Sequence, residues 1–506
     1  MPAASSDIPF ARPFIGKEEE EAVLRVLRSG WLTTGAEALA FEKEFAEFLQ
    51  TPGLRCFAVN SATSGLHLAL EACGVGPGDA VLVPSCTFTA TAEVARYLGA
   101  DPVFVDVAPG TFHINAATVE NALKQLPAGK AKAVIPVHYG GLPCDMGSIM
   151  EVARRYNLKV IEDAAHSFPS FIGTRDQGLG TREIGGKPPP SLQPAYGGLP
   201  LPPSAGVPTN QHSVKLCPDE GGMARAPVIA PVCDNGGLAL ARPAGDTPAT
   251  PPYITSQSPV PNPQSPVPTP QSPVPSPQSP VPSPQPPSFA GTLADVGVFS
   301  FYATKTITTG EGGMLVCRDG DIARRVSVMR LHGIDRSVWN RYSDARAFWY
   351  YEVVEAGYKY NMPDLLAAVG RVQLSRAWDL LRMREEIATV YDGAFGGDGR
   401  FLVPPTGPGD ARHLYPLRLD SRRLRISRDE FIARLKEAGV GASVHFIPLH
   451  TMPFYKNRYK LAEDDLPHTM ESCKQEISLP IWPGMGKAQV ERVVEVAQSI
   501  ANGYTC

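Results

Sequence analysis

The chain has 506 residues, 47 Lys+Arg against 51 Asp+Glu, and a pI near 6.2. A net charge of -4 leaves no basic footprint for nucleic acid and no polybasic anchor for a membrane surface. No run of 18 apolar residues exists to span a bilayer, and nine cysteines without CxxC or Cys/His ligand spacing point to reduced thiols rather than disulfides or a metal site.

The start, MPAASSDIPFARPFIGKEEEE, lacks the apolar stretch of a secretory signal, so a cytoplasmic protein is expected. Within a segment 1–35, Lys17 to Arg28 reads as an amphipathic helix closed by Gly30, with WLTTG as a loop after it. From 36 to 173 the chain alternates short apolar runs (CFAVN, AVLVPS, PVFVDV, AKAVIPVHYG, LKVIED) with helical patterns (SGLHLALEACG, TATAEVARYLG, DMGSIMEVARRYN). That rhythm predicts an α/β fold with a mostly parallel sheet covered on both faces. Residues 289–389 continue it with VGVFSF, GGMLVC, the helix IARRVSVMRLHG and one long helix from Pro363 to Tyr391. A smaller α+β domain is expected over 390–506, with HLYPLRL and ASVHFIPLH as extended runs and RDEFIARLKEAG and KAQVERVVEVAQSIA as helices.

Between these halves lies a block of another composition. Of the 51 prolines, 29 fall within residues 174–288, which include four heptapeptides of the form SPVPxPQ from Ser258 to Gln285. Proline fixes φ and donates no backbone hydrogen bond, so a polyproline II or disordered insertion is expected.

Four constellations sit at predicted strand ends, where ligands bind in open α/β sheets. Lys305 follows an apolar strand in VFSFYATKTITTGEGGM and is a candidate Schiff-base amine; a lone lysine is more often a solvated surface group, but this context is apolar. Asp163 ends LKVIED, where a buried carboxylate needs a partner such as a protonated pyridine nitrogen, or else caps the next helix; His166 follows three residues on. In AVNSATSGLHLALEACG, Thr63 and Ser64 open a helix whose free N–H groups suit a phosphate, with Ser300 as a further hydroxyl. Phe88 lies on the strand–helix loop of VPSCTFTATA and could stack on a planar ring or pack in the core. One pocket holding a phosphate cradle, an aromatic platform, a buried acid and a lysine has the parts that pyridoxal 5'-phosphate (PLP) requires.

The stretches SATSGLHLALEACGVGPGDAVLVPSCTFTATA, VIEDAAHS, DVGVFSFYATKTITTGEGGM, AGYKYNMPDLLAAVGRVQL and VHFIPLHTMPFY closely resemble the DegT/StrS group of PLP-dependent nucleotide-sugar aminotransferases. The resemblance covers essentially everything outside 174–288. It implies a fold type I large domain with a seven-stranded-type sheet and a small C-terminal domain. It makes Lys305 the cofactor-bearing lysine and Asp163 the partner of the ring nitrogen. His166 would contact the ring's phenolic oxygen, Thr63, Ser64 and Ser300 the phosphate, and Phe88 the ring face. Asn361 would reach the phosphate of a neighbouring subunit, implying a homodimer with shared sites. Trp31, Thr33, Thr34 and His445 are carried over as substrate-side residues, for a glutamate donor and a keto sugar on a nucleoside diphosphate. Relatives that dehydrate sugars carry a histidine in place of the lysine, so Lys305 argues against that activity. A non-catalytic PLP-binding regulator docking through its proline repeat is weakened by the absence of Arg or Lys beside SPVPSPQ. Asp163 and Lys305 are 142 positions apart, and 27 remain once the 115 residues of 174–288 are set aside, enough for a strand, a turn and a strand.

Overall fold

Strand β1 (Arg55–Val59) begins a run of five strands that continues with β2 (Ala80–Pro84), β3 (Asp101–Val105), β4 (Ala131–Val134) and β5 (Lys159–Asp163). The computed structural model describes residues 7–172, 288–335 and 350–506. The Pro-rich repeat, and the disorder expected of it, lie outside the described residues. Short β6 (Phe171–Ile172) and β7 (Ser288–Phe289) pair antiparallel across that gap, followed by β8 (Val296–Ser300) and β9 (Gly313–Cys317). Ser288, expected inside the insertion, is therefore a ladder residue opposite Ile172.

The large sheet has seven strands in the order β1-β9-β8-β5-β4-β2-β3. Strands β8, β5, β4, β2 and β3 run parallel, and β9 is antiparallel to both of its neighbours. Every residue of β2, β8 and β9 is buried, which explains their unbroken apolar runs: helices cover both faces. One of these, Ala62–Ala72, packs Leu66 and Leu70 into the core shared with Val81, Ile161 and Val298.

A second, three-stranded antiparallel sheet joins β10 (Phe401–Leu402), β11 (Tyr415–Leu419) and β12 (Glu476–Leu479). Tyr391, Phe395, Tyr415, Phe431 and Val493 form its core, so the end of helix Ala377–Phe395 and the helices Arg428–Glu437 and Lys487–Gly503 cover it. Among the described residues no helix is long and apolar enough to cross a membrane.

Two expected elements are corrected. The single helix from Pro363 is two, Asp364–Ser375 and Ala377–Phe395, broken at Arg376 with φ -108 and ψ 6. The Arg376 guanidinium reaches back to Glu19 at 2.9 Å and lies over Phe14, tying the break to the N-terminal helix Lys17–Ser29. ASVHFIPLH is a loop with one bridge, Ser443 to Ser478. The His445 N–H that would extend that ladder is donated to the Glu476 carboxylate instead. Helix Ala36–Leu49, absent from the sequence reading, buries Phe41, Phe45 and Leu49 against Phe299 and Phe301.

Candidate active site

The carboxyl ends of β5 and β8, the loop after β2 and the start of helix Ala62–Ala72 surround a cavity of about 490 Å³. Thr63, Phe88, Asp163, His166, Ser300, Lys305 and His445 all line it. Residues scattered over nearly 400 positions of sequence thus share one wall because parallel strands end on the same side.

Asp163 is buried, and its Oδ2 accepts from Thr91 Oγ1 at 2.8 Å while Oδ1 accepts from the Ala165 N–H at 3.1 Å. Thr87 Oγ1 lies 2.8 Å from Thr91 Oγ1 and holds that hydroxyl in place. Burial raises the Asp163 pKa, opposed by these two donors and by the charge of Lys305. Burial pushes the Lys305 amine down to about 8, with Asp163 opposing the shift and Arg384 adding to it. Lys305 Nζ makes no hydrogen bond or ion pair among the described residues. The loop that carries it is closed by its own hydroxyls: Thr308 Oγ1 donates to the Phe301 carbonyl at 3.0 Å and accepts from the Gly310 N–H at 2.9 Å. Buried Arg384 adds a strap, donating to the carbonyls of Thr304, His413 and Ile481.

At the other end of the cavity, Ser61 caps helix Ala62–Ala72 by accepting from the Ser64 N–H at 3.1 Å. The N–H groups of Ala62 and Thr63, which line the cavity, have no partner among the described residues. A Cβ on Gly313 would lie 2.8 Å from the Ala62 nitrogen, so only glycine lets β9 approach the helix start so closely. Ser300 Oγ accepts from the Tyr302 N–H at 3.3 Å and keeps its own hydrogen to donate. Ser64 is placed differently: its hydroxyl lies within bonding distance of Asn60 Oδ1 (2.7 Å) and the Ser61 carbonyl (2.8 Å), outside the cavity lining.

Phe88 is 59% exposed, so it is not a core residue; its ring lies 6.1 Å from that of Phe446. His166 stacks on Phe446 at 5.8 Å, its Nδ1 accepts from the Gly140 N–H at 3.3 Å, and burial holds its pKa well below the usual value. Thr91, Tyr302 and Phe446 line the cavity too and were missed by the sequence reading, where a Thr among TFTATA carries no sign of which hydroxyl faces inward.

Trp31, Thr33, Thr34 and Asn361 are not brought to this cavity. They form a cluster of their own: Trp31 Nε1 donates to the Thr34 carbonyl, Asn361 Nδ2 to Thr34 Oγ1, and the Asp364 N–H to the Thr33 carbonyl.

A model of the DegT/DnrJ/EryC1/StrS aminotransferase family matches residues 13–186 and 288–498, leaving out 187–287 of the Pro-rich block. The chain belongs to that family. Its cofactor is therefore pyridoxal phosphate, and its reaction is transamination. Among curated relatives of this aminotransferase, the spore coat polysaccharide biosynthesis protein SpsC of Bacillus subtilis is 34% identical over 500 residues, 98% of this chain and 97% of that one. A Streptococcus pneumoniae protein solved in its PLP form has a TM-score of 0.68 at 24% identity, over 98% of this chain and 99% of that one. Helicobacter pylori PseC, an aminotransferase involved in the biosynthesis of pseudoaminic acid, has a TM-score of 0.69 at 21% identity, covering 99% and 100%. These last two likenesses show the fold.

The cavity fits the cofactor on its own evidence. It offers an amine without a partner, a buried carboxylate, an exposed aromatic face and two unpaired N–H groups at a helix N-terminus. Those match an aldehyde, a ring nitrogen, a ring and a phosphate.

Proposed function

We propose that this aminotransferase moves an amino group from an amino acid, glutamate above all, to a keto carbon of a nucleotide-linked sugar, working as a homodimer with shared sites. One observation carries the reading: Lys305, with an unpartnered amine, lines the same cavity as buried Asp163 and the open start of helix Ala62–Ala72. The sugar side is supported by SpsC, named for polysaccharide biosynthesis.

Lys305 would carry the cofactor covalently and, once released by the donor amine, move a proton between neighbouring atoms of the reacting substrate. The depressed pKa leaves a useful fraction of that amine unprotonated near neutrality. Pyridoxal phosphate, when bound, supplies a carbonyl for amines and a protonated ring that withdraws electrons. Asp163 would hold the ring nitrogen's proton, with Thr91 orienting the carboxylate. Thr63, Ser300 and the Ala62 and Thr63 N–H groups would bind the phosphate, Phe88 would cover the ring face, and His166 would meet the ring oxygen. Trp31, Thr33, Thr34 and Asn361 would serve the partner's site.

The purified enzyme should be yellow, and glutamate should shift its visible absorption to that of the amine form. A screen of 3-keto and 4-keto nucleotide sugars should then return the aldehyde spectrum. No spectral response to any amino acid overturns the donor half of the reading; no response to any keto nucleotide sugar overturns the acceptor half.

A further inference from the structure

Behind His445 runs a chain of groups that transamination does not account for. The His445 ring lines the cavity, and its Nδ1 lies 2.8 Å from Ser478 Oγ. Ser478 Oγ is bonded in turn to Glu476 Oε1, and Glu476 Oε2 accepts the His445 backbone N–H at 2.9 Å. Glu476 is 0% exposed and makes no ion pair among the described residues. Arg428, the cation whose field reaches it, is paired with Asp429. His445 Nε2 has no partner among the described residues.

A neutral imidazole has one donor and one acceptor nitrogen, and a serine hydroxyl has one hydrogen. The chain therefore has two self-consistent arrangements. With Glu476 protonated, its O–H donates to Ser478, Ser478 donates to Nδ1, and Nε2–H is left as a donor. With Glu476 ionised, Ser478 donates to the carboxylate and accepts from Nδ1–H, and Nε2 is left with a lone pair. Going from one to the other releases a single proton at Nε2 and leaves the negative charge on Glu476.

We propose that Glu476, acting through Ser478, is a positioning residue that sets His445 Nε2 as a hydrogen-bond donor to a substrate oxygen at neutral pH and turns it into an acceptor in alkali. The substrate class, an oxidised sugar with a keto or hydroxyl oxygen at that place, rests on the function proposed above; the proton chain does not. Burial pushes the Glu476 carboxyl up to about 8, opposed by the Ser478 and His445 hydrogen bonds and by Arg428. His445 itself is held down at about 4 by burial and by the charge of Lys305, so its ring is neutral throughout this range. Of the other titratable groups around the chain, Tyr139 donates to the His445 carbonyl, and burial raises its pKa. Cys473 is also raised, with Cys86 beside it, and Lys305 and His166 face His445 across the cavity.

The test is the tautomer of His445, read by long-range ¹H–¹⁵N correlation on the histidine-labelled full-length holoenzyme and assigned by the signal lost in His445→Gln. The wild type should carry its proton on Nε2 below about pH 8 and on Nδ1 above it. Glu476→Gln, whose amide oxygen must accept the His445 backbone N–H and so turns its NH2 toward Ser478, should keep the proton on Nε2 at every pH, and Ser478→Ala should uncouple the ring from position 476. A wild-type tautomer that does not change between pH 6 and 9.5, or a Glu476→Gln variant that still switches, overturns the proposal. Thermal unfolding of both variants identifies any that fail to fold, and the wild-type titration decides alone in that case. In kinetics, the same switch should produce a fall in kcat/KM for the keto sugar above about pH 8 that Glu476→Gln lacks, with the glutamate half-reaction unmoved. A lost tautomer switch with intact kinetics rejects the chain; an intact switch without turnover of any keto sugar rejects the substrate reading instead.

Discussion

Burial drives Asp163 and Lys305 toward their neutral forms, and each restrains the other through its charge. For Lys305 the sign of the resulting pH dependence is fixed. Its folded pKa of about 8 lies below the ordinary 10.5, so between those values the unfolded chain binds more protons. Burying this amine therefore costs the cofactor-free protein stability below about pH 8, and that cost is lifted as pH rises from about 8 to 10.5. Lys305→Ala should fold, show no transamination, and lack this alkaline gain in denaturant titrations; wild-type and variant curves that run parallel would refute the shift. Asp163→Asn should retain cofactor but lose roughly 100-fold or more in rate, since a neutral amide holds the ring proton poorly. Single-turnover absorbance changes would measure it, and near-normal rates would mean that another group tunes the ring. Asp163 was legible in the sequence because it is the last side chain of β5, and Lys305 because it lies on the short loop that follows the apolar strand β8. Ser64 and Thr91 were not: the helix phase at Ser61, and the pairing of Thr87 with Thr91, decide which hydroxyl faces the cavity.

At the scale of elements, strand runs such as AVLVP and GMLVC were readable because a sheet covered on both faces favours apolar residues at successive positions. The break at Arg376 was not, because no Gly or Pro marks it and the partner of its guanidinium, Glu19, lies 357 positions away. The β6–β7 pair bears on the Pro-rich block directly. Ile172 and Ser288 are ladder partners, so the residues that flank 173–287 are already neighbours. The family match skips residues 187–287 as well. Replacing residues 174–287 with a short Gly/Ser connector should thus leave folding, cofactor binding and kcat/KM intact. Closure entropy varies only as (3/2)RT ln n, so the change in stability should be small. Unfolding curves and steady-state kinetics check this, and a tenfold fall in kcat/KM, about 1.4 kcal/mol, would show that the block shapes the site.

The whole molecule divides its expected functional residues into two groups. Lys305, Asp163, Thr63 and Ser300 line one cavity, whereas Trp31, Thr33, Thr34 and Asn361 cluster elsewhere on the same chain. The sequence resemblance assigns only Asn361 to a neighbouring copy; it groups Trp31, Thr33 and Thr34 with His445, which lines the cavity. In a two-fold dimer the second cluster of one chain would complete the cavity of the other. Mixing two inactive variants tests this. Lys305→Ala spoils the cavity of its own chain, and Asn361→Ala spoils the cavity of its partner. In a mixed dimer both lesions then fall on one site, that of the Lys305→Ala chain, and the other site is whole. Random reassortment makes half of the dimers mixed, so activity should return to about a quarter of the wild-type value. If Asn361 instead served its own chain, each site of a mixed dimer would carry one lesion and mixing would restore nothing. Turnover assayed after co-refolding equal amounts of the two variants separates these outcomes.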